Sequence, residues 1–414
     1  MSVICPFRGL RPIPRHIAQV ASPPYDVLSS DEARELVKGN PDSFLRVNKP
    51  EVDFDTGTPI HSEQVYRRGK ENLERLINDG LMCRDSKPCF YLYRLTMNEH
   101  SQTGLVTLTS VEEYNNGQIK KHEYTRPEKV DDRANHIMYT RAQVGPVFSI
   151  FRNRKEIRAI FEKTTQEPPK YDFVSEDGVR HQMWVVGDAE QIDNLVSAFA
   201  DLHGLYIADG HHRSAAAAEV ARRLKKENSN HTGQEHYNFF LNVLFPDDEL
   251  HILPYNRVVK DLKGMAVTQL LEKASANFTV APHAGPVVPN KNYQFGLYCH
   301  KQWFVLETKE GSFNAQHPSE SIDSAVLSSN FLKPILGIEN IRTDQRIDFV
   351  GGIRGVEELV RLVDSDQYAV AFSLYPASVE QLLEVADAGQ VMPPKSTWFE
   401  PKLRSGIVVN LLDE

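Results

Sequence analysis

Leu205-Tyr206-Ile207-Ala208-Asp209-Gly210-His211-His212-Arg213-Ser214-Ala215-Ala216-Ala217-Ala218-Glu219-Val220-Ala221 is the stretch whose reading decides the fold. Leu205 to Ala208 is a short apolar run that reads as a strand. The alanines from Ala215 are strong helix formers whose small side chains allow close packing. Between strand and helix lies Asp209-Gly210-His211-His212-Arg213. A helix N-terminus leaves backbone N–H groups unpaired and carries about half a unit of positive charge. An anion placed there meets donors and a favourable dipole. Gly210 lets a phosphate come close to the backbone, and Arg213 can fork onto phosphate oxygens. His211 and His212 add donors and proton-transfer groups. Asp209 repels an anion, so it makes sense there as a Mg²⁺ contact or as a base for an attacking hydroxyl. Two other readings stay open: a plain helix cap at Asp209 or Ser214, and a metal site of Asp209, His211 and His212.

Working outward, Ser29 to Glu32 spells a capping box that starts a helix, and Gly39 stands where a glycine would end it. A second helix is predicted over Ser62 to Asn78. Cys89 to Leu95 and Leu105 to Thr109 read as strands around a polar hairpin loop, Asn98 to Gly104. Asp177-Gly178 marks a second hairpin, between Tyr171–Val174 and Gln182–Val186. An amphipathic helix over Ala189 to Leu202 precedes the central strand. Beyond a polar stretch ending near His236, strands and helices alternate again: Phe239 to Phe245, Gln269 to Ala276, a hairpin of Tyr293–Tyr298 with Trp303–Leu306, and Ala369 to Leu374 flanked by helices. No repeat of fixed length and no low-complexity segment occurs. The class is α+β with mixed sheets.

Three further segments could carry chemistry. Lys120 to Arg133 is dense in mixed charge, which by composition reads as a solvated loop, yet its His122-Glu123 pair could supply a general base or a metal ligand. Lys395-Ser396-Thr397 suits phosphate, although no P-loop pattern surrounds it. Pro23 to Val27 reads as a rigid turn and Phe44 to Val47 as an edge strand. Asp26 and Arg46 become candidates only if the fold brings them to the same cleft.

Composition limits the function. The chain has 414 residues, more than one ordinary core and suited to two lobes. It is 41% hydrophobic and 25% charged, which is neither a disordered chain nor a membrane protein. The N-terminus lacks the basic start and long apolar stretch of a signal peptide, and no apolar run approaches membrane length. Cys5, Cys83, Cys89 and Cys299 lack metal-ligand spacing and read as free thiols of a reducing cytoplasm. The net charge of -9 argues against nucleic acid as partner while permitting a local basic pocket.

Tyr206 to Arg213 and Met392 to Phe399, with Pro24 to Val27 and His122 to Thr125, resemble the signatures of the family known as domain of unknown function 1015. The matches spread over nearly the whole chain. The Asp209–Arg213 turn is also similar to that of free serine kinases built on a ParB/sulfiredoxin-like core, where the matching turn cradles phosphate. The resemblance implies such a core in residues 1–229, a possible inserted α/β lobe over 230–370, and a segment 371–414 that returns to the core. It implies phosphoryl transfer from pyrophosphate, ADP or ATP to the hydroxyl of free L-serine, with Mg²⁺. Gly210, His211, His212, Arg213, Lys395, Ser396 and Thr397 would bind phosphate. Asp209 or Glu123, with His122, would serve catalysis, Asp209 being also the candidate metal ligand, and Arg46 and Asp26 would bind substrate. Two alternatives remain: a ParB-like nucleotide-regulated binding protein and a metal-dependent phosphohydrolase. The partners expected are small molecules rather than nucleic acid or membrane.

Overall fold

A computed structural model describes residues 2–413. They form two compact units: the chain up to Leu250 together with the stretch from Pro401 onward, and His251–Glu400. The sequence reading divides the chain at 229 and 370. The units divide later because Phe239–Pro246 completes the sheet of the first unit, while Trp398–Glu400 pairs with His251–Leu253 in the second.

The first unit is built on a nine-stranded mixed sheet. Across it run Ile119–Lys120, Leu205–Asp209, Val147–Phe151, Phe239–Pro246, His100–Ser110, Phe90–Met97, Arg180–Val186 and Tyr171–Val174, with Ile4–Cys5 on the far end of His100–Ser110. Most pairs are antiparallel. Leu205–Asp209 runs parallel to Ile119–Lys120, and Phe239–Pro246 runs parallel to Val147–Phe151. The helices Pro127–Thr140 and His211–Glu227 pack on each other and on the sheet. Ala217, Val220, Ala221 and Leu224 recur at helical spacing and are all buried, so the small residues let the second helix lie close.

The second unit has a six-stranded antiparallel sheet in the order Phe278–His283, Gln302–Thr308, Gln294–Cys299, Val370–Leu374, Tyr255–Val259, Ile347–Gly351. Neighbouring residues feed opposite faces. Val259, Leu297 and Phe372 pack in one core, and Val258, Tyr298 and Ala371 in another.

Several local expectations are met. Ser29 accepts from the Glu32 N–H at 3.2 Å while the Glu32 carboxylate accepts from the Ser29 N–H at 2.8 Å, and the helix runs Ser30–Leu36. Others are corrected. The polar Asn98–Gly104 loop shrinks to a turn at Asn98 and Glu99, because Gln102 and Thr103 are buried in the strand His100–Ser110. The edge strand at Phe44–Val47 is a short helix, Leu45–Asn48. The charged segment is no open loop: Pro127, with the fixed φ suited to a first helical turn, starts the helix Pro127–Thr140. All four cysteines are free. No helix among the described residues is long and apolar enough to cross a membrane.

The central turn depends on two local devices. Tyr206 and Ile207 pair with Ile150 and Ser149, but Asp209 pairs with Phe148, so Ala208 is an extra residue. The bulge breaks the two-residue alternation and frees Asp209 from the core face of Leu205 and Ile207. Gly210 follows with φ 91°, and a Cβ there would lie 3.3 Å from the Val147 Cα. Gly210→Ala should therefore lower stability by about 1–2 kcal/mol, read as a lower urea midpoint with an unchanged slope. An unchanged midpoint would show that the turn relaxes freely.

Candidate functional site

The helix His211–Glu227 begins directly at Gly210, and no side chain caps it. The Arg213 and Ser214 N–H groups close the first turn on the Gly210 carbonyl at 2.9 and 3.0 Å. The positive end of a 17-residue helix thus opens on the site without a side-chain cap.

Asp209 is held from two sides. Its Oδ1 accepts the Gly210 N–H at 2.7 Å and its Oδ2 the Lys402 ammonium at 2.9 Å. Burial works against the charge, but Lys402 and Arg213 outweigh it and keep the carboxyl far below the usual carboxylate range. Lys402 belongs to the chain's final stretch, which crosses back to the first unit at Pro401. The sequence reading gives it no role. Its only signal is a lone lysine after Trp398-Phe399-Glu400-Pro401, and nothing local ties it to a residue 193 positions away.

His122 and His211 meet edge to face, ring centroids 4.5 Å apart, both buried. Burial holds His122 down to about 4, although a hydrogen bond to the Ile207 backbone favours its charged form. Burial and the neighbouring His122 push His211 well below the ordinary histidine range. Both rings are therefore neutral at pH 7. His122 Nδ1 and His211 Nε2 are buried without a hydrogen-bond partner. The half-exposed Glu123 carboxylate lies 3.8 Å from His211 Nδ1. His212 points to another duty, accepting the Arg126 N–H at 3.1 Å and so fixing the entry to the helix Pro127–Thr140.

Arg213 is clamped. Its Nη2 bonds both Asp26 oxygens at 2.8 and 2.7 Å, its Nη1 bonds the Pro146 carbonyl at 2.7 Å, and its Nε has no partner. Tyr25 lies between two guanidiniums, with Arg133 4.4 Å and Arg213 5.4 Å from its ring centroid. Asp26 is thus spent on Arg213. Arg46 bonds Asp53, the Asn40 carbonyl and the Val37 carbonyl, so Asp26 and Arg46 do not form one substrate-holding pair. Lys395, Ser396 and Thr397 belong to the second unit. There the Ser396 hydroxyl bonds Ser324 and the Pro393 carbonyl, both at 2.7 Å, and Lys395 lies 5.4 Å from the Tyr255 ring centroid.

The donor set does not fit a magnesium ion held by the protein alone. Both Asp209 oxygens are engaged, and no three His, Cys, Asp or Glu side chains converge among the described residues. The site offers instead an uncapped helix start, neutral imidazoles and a carboxylate beside them.

A family model described as a protein of unknown function (DUF1015) matches residues 4–328. No curated protein matches the chain. Solved structures that resemble it include a free serine kinase in complex with AMP, at 11% identity over 71% of this chain and 86% of that one, with TM-score 0.34. A conserved hypothetical protein from Pyrococcus furiosus shares 13% identity over 71% of this chain and 90% of its own, with TM-score 0.34. A C-terminally truncated SbnI from Staphylococcus aureus shares 12% identity over 72% and 84%, with TM-score 0.36. At these scores the likenesses carry no functional weight.

Two predictions follow from the electrostatics. Burial holds four histidines of the first unit below their ordinary value of 6.5: His122 and His136 at about 4, His181 at about 3, and His211 well below. The unfolded chain binds their protons first, so stability is complete above pH 6.5 and is lost as pH falls towards 4. The slope should approach about 1.4 kcal/mol per pH unit for each histidine, in urea titrations at stepped pH. A flat profile between pH 6.5 and 5 would overturn this. Second, Lys402→Met should destabilise wild type more than it destabilises Asp209→Asn. With both side chains partly exposed, the coupling should be about 1–2 kcal/mol, below that of a fully buried pair.

Proposed function

We propose that this chain, which belongs to the family described as a protein of unknown function (DUF1015), is a small-molecule kinase that phosphorylates the hydroxyl of free L-serine. The observation that carries the reading is the uncapped helix start at Gly210, flanked by two buried neutral histidines with unpartnered ring nitrogens. Such a site suits a phosphoryl group. Backbone N–H groups and the helix dipole stabilise its charge, and a neutral imidazole donates a hydrogen bond without the cost of burying a second charge. Serine as acceptor comes from the resemblance of the Asp209–Arg213 turn to that of free serine kinases.

In this reading the donor's terminal phosphoryl group lies against the backbone of the helix start, from Gly210 to His212, beside the His211 ring. The serine oxygen attacks phosphorus, the bridging P–O bond breaks, and phosphate leaves from pyrophosphate, ADP from ATP or AMP from ADP. Glu123 takes the hydroxyl proton. It is half-exposed beside His211, whereas Asp209 is kept ionised by Lys402 and is a weak base. Asp209 orients Lys402 and the Gly210 amide instead. Arg213, clamped by Asp26, braces the turn, and its buried Nε is left for a ligand. Mg²⁺ would enter as the counter-ion of the donor's phosphates.

The test is a product assay: the protein with L-serine, Mg²⁺ and pyrophosphate, ADP or ATP, with O-phosphoserine read by mass spectrometry. Wild type should make phosphoserine from at least one donor. Glu123→Gln should lose about 100-fold in kcat with little change in donor KM, in line with loss of a general base. Phosphoserine from no donor would sink the serine assignment.

A further inference from the structure

Behind Arg213 lies a cavity of about 40 Å³, lined among others by Tyr25, Asn48, Arg133, Val144, Gly145 and Arg213. Two of its donors are unsatisfied. Asn48 is 1% exposed, and its Nδ2 has no hydrogen-bond partner. Arg213 Nε is likewise buried and unpartnered, although both terminal nitrogens of that guanidinium are bonded. Buried donors left without acceptors are unfavourable, by roughly 1–3 kcal/mol each, so such a pair points to an occupant that accepts hydrogen bonds.

Gly145 keeps the place open. A Cβ there would lie 3.8 Å from Arg213 Nε and 3.6 Å from Ser405 Oγ, standing in front of the free donor without a clash. Arg213 is already neutralised by Asp26, and Arg133 by Asp132 at 2.7 Å. Recognition therefore rests on directed donors rather than on an excess of positive charge. At roughly 30 Å³ for a molecule of liquid water, the cavity holds a group little larger than one water. That is the size of a carboxylate group and less than a tetrahedral phosphate needs. A carboxylate has two oxygens, one for each orphan donor, and Val144 supplies an apolar wall for the carbon it is attached to.

We propose that this cavity is a carboxylate subsite, in which Asn48 Nδ2 and Arg213 Nε hold the carboxylate of a small amino acid. The inference rests on the kinase reading only for the acceptor's identity. The subsite also gives Asn48 and Gly145 roles that Arg46 and Asp26 do not fill.

Isothermal titration of the whole chain tests it without turnover, with and without pyrophosphate present. L-Serine and acetate should bind wild type, and ethanolamine, which keeps the hydroxyl and amine but lacks the carboxylate, should not. Gly145→Ala, which the backbone tolerates, should weaken L-serine at least tenfold and leave inorganic phosphate unchanged. Asn48→Ala should do the same while melting as a folded protein. In kinetics, both should raise the KM for L-serine and spare the KM for the donor. Three results overturn the proposal: no carboxylate binding to wild type, which leaves water as the occupant; unchanged L-serine affinity in both variants; or loss of phosphate rather than carboxylate binding. If carboxylates bind as described and no phosphoserine forms, the kinase reading fails and the subsite stands.

Discussion

The ion pair between Arg213 and Asp26 joins residues 187 positions apart, and the first unit's site is assembled around it. Arg213 sits in the first turn of the helix His211–Glu227, and Asp26 in a short 3₁₀ turn, Tyr25–Val27. The same guanidinium bonds the Pro146 carbonyl just before the strand Val147–Phe151. One side chain thus ties the N-terminal segment, the sheet and the central helix. Burial opposes its charge, but Asp26, Tyr25 and Asp209 more than offset this and raise its pKa. The Asp26 carboxylate is a third exposed, so breaking this pair costs less than the roughly 3–5 kcal/mol of a fully buried one, but while intact it restrains the turn.

That rigidity explains how two kinds of electrostatic environment coexist within one turn of chain. On the side of Asp209 the charges are matched, Lys402 facing the carboxylate and the Gly210 amide completing it. On the side of His122 and His211 the groups are buried but uncharged, with ring nitrogens left unpartnered. A pre-organised, water-poor donor set has its strongest effect on an incoming charge, because it needs no reorientation when the charge arrives. The open helix start adds to the same field.

Much of the local structure was legible because it is written in neighbouring residues. Ser29 and Glu32 are three apart and cap a helix; Asp209-Gly210 before an alanine run marks a strand-to-helix turn; alternation and glycine turns mark the hairpins. The misreadings have one cause. Lys120 to Arg133 reads as solvent-exposed by charge, yet its Arg133 is mostly covered beside Tyr25 and its His122 is buried against His211. Polar residues at Gln102 and Thr103 read as loop, yet they are strand residues inside the sheet. A charged or polar side chain becomes tolerable in the interior only when a partner from elsewhere in the chain satisfies it, and that partner is not visible locally.

The same boundary divides the site. The sequence alone determined the turn at Gly210, because only glycine adopts its φ of 91° readily and because alanine spacing sets the helix that follows. It also marked His122, Glu123 and Asp209 as residues able to do chemistry. Tertiary structure alone decided what each one touches. It paired Asp209 with Lys402, gave Asp26 to Arg213 and Arg46 to Asp53, and brought the His122 ring onto His211. Arg46 and Asp53 are seven residues apart, but the other pairings join residues far apart in the chain, up to 193 positions, where charge and geometry are set by the packing of the sheet and its helices rather than by spacing along the chain.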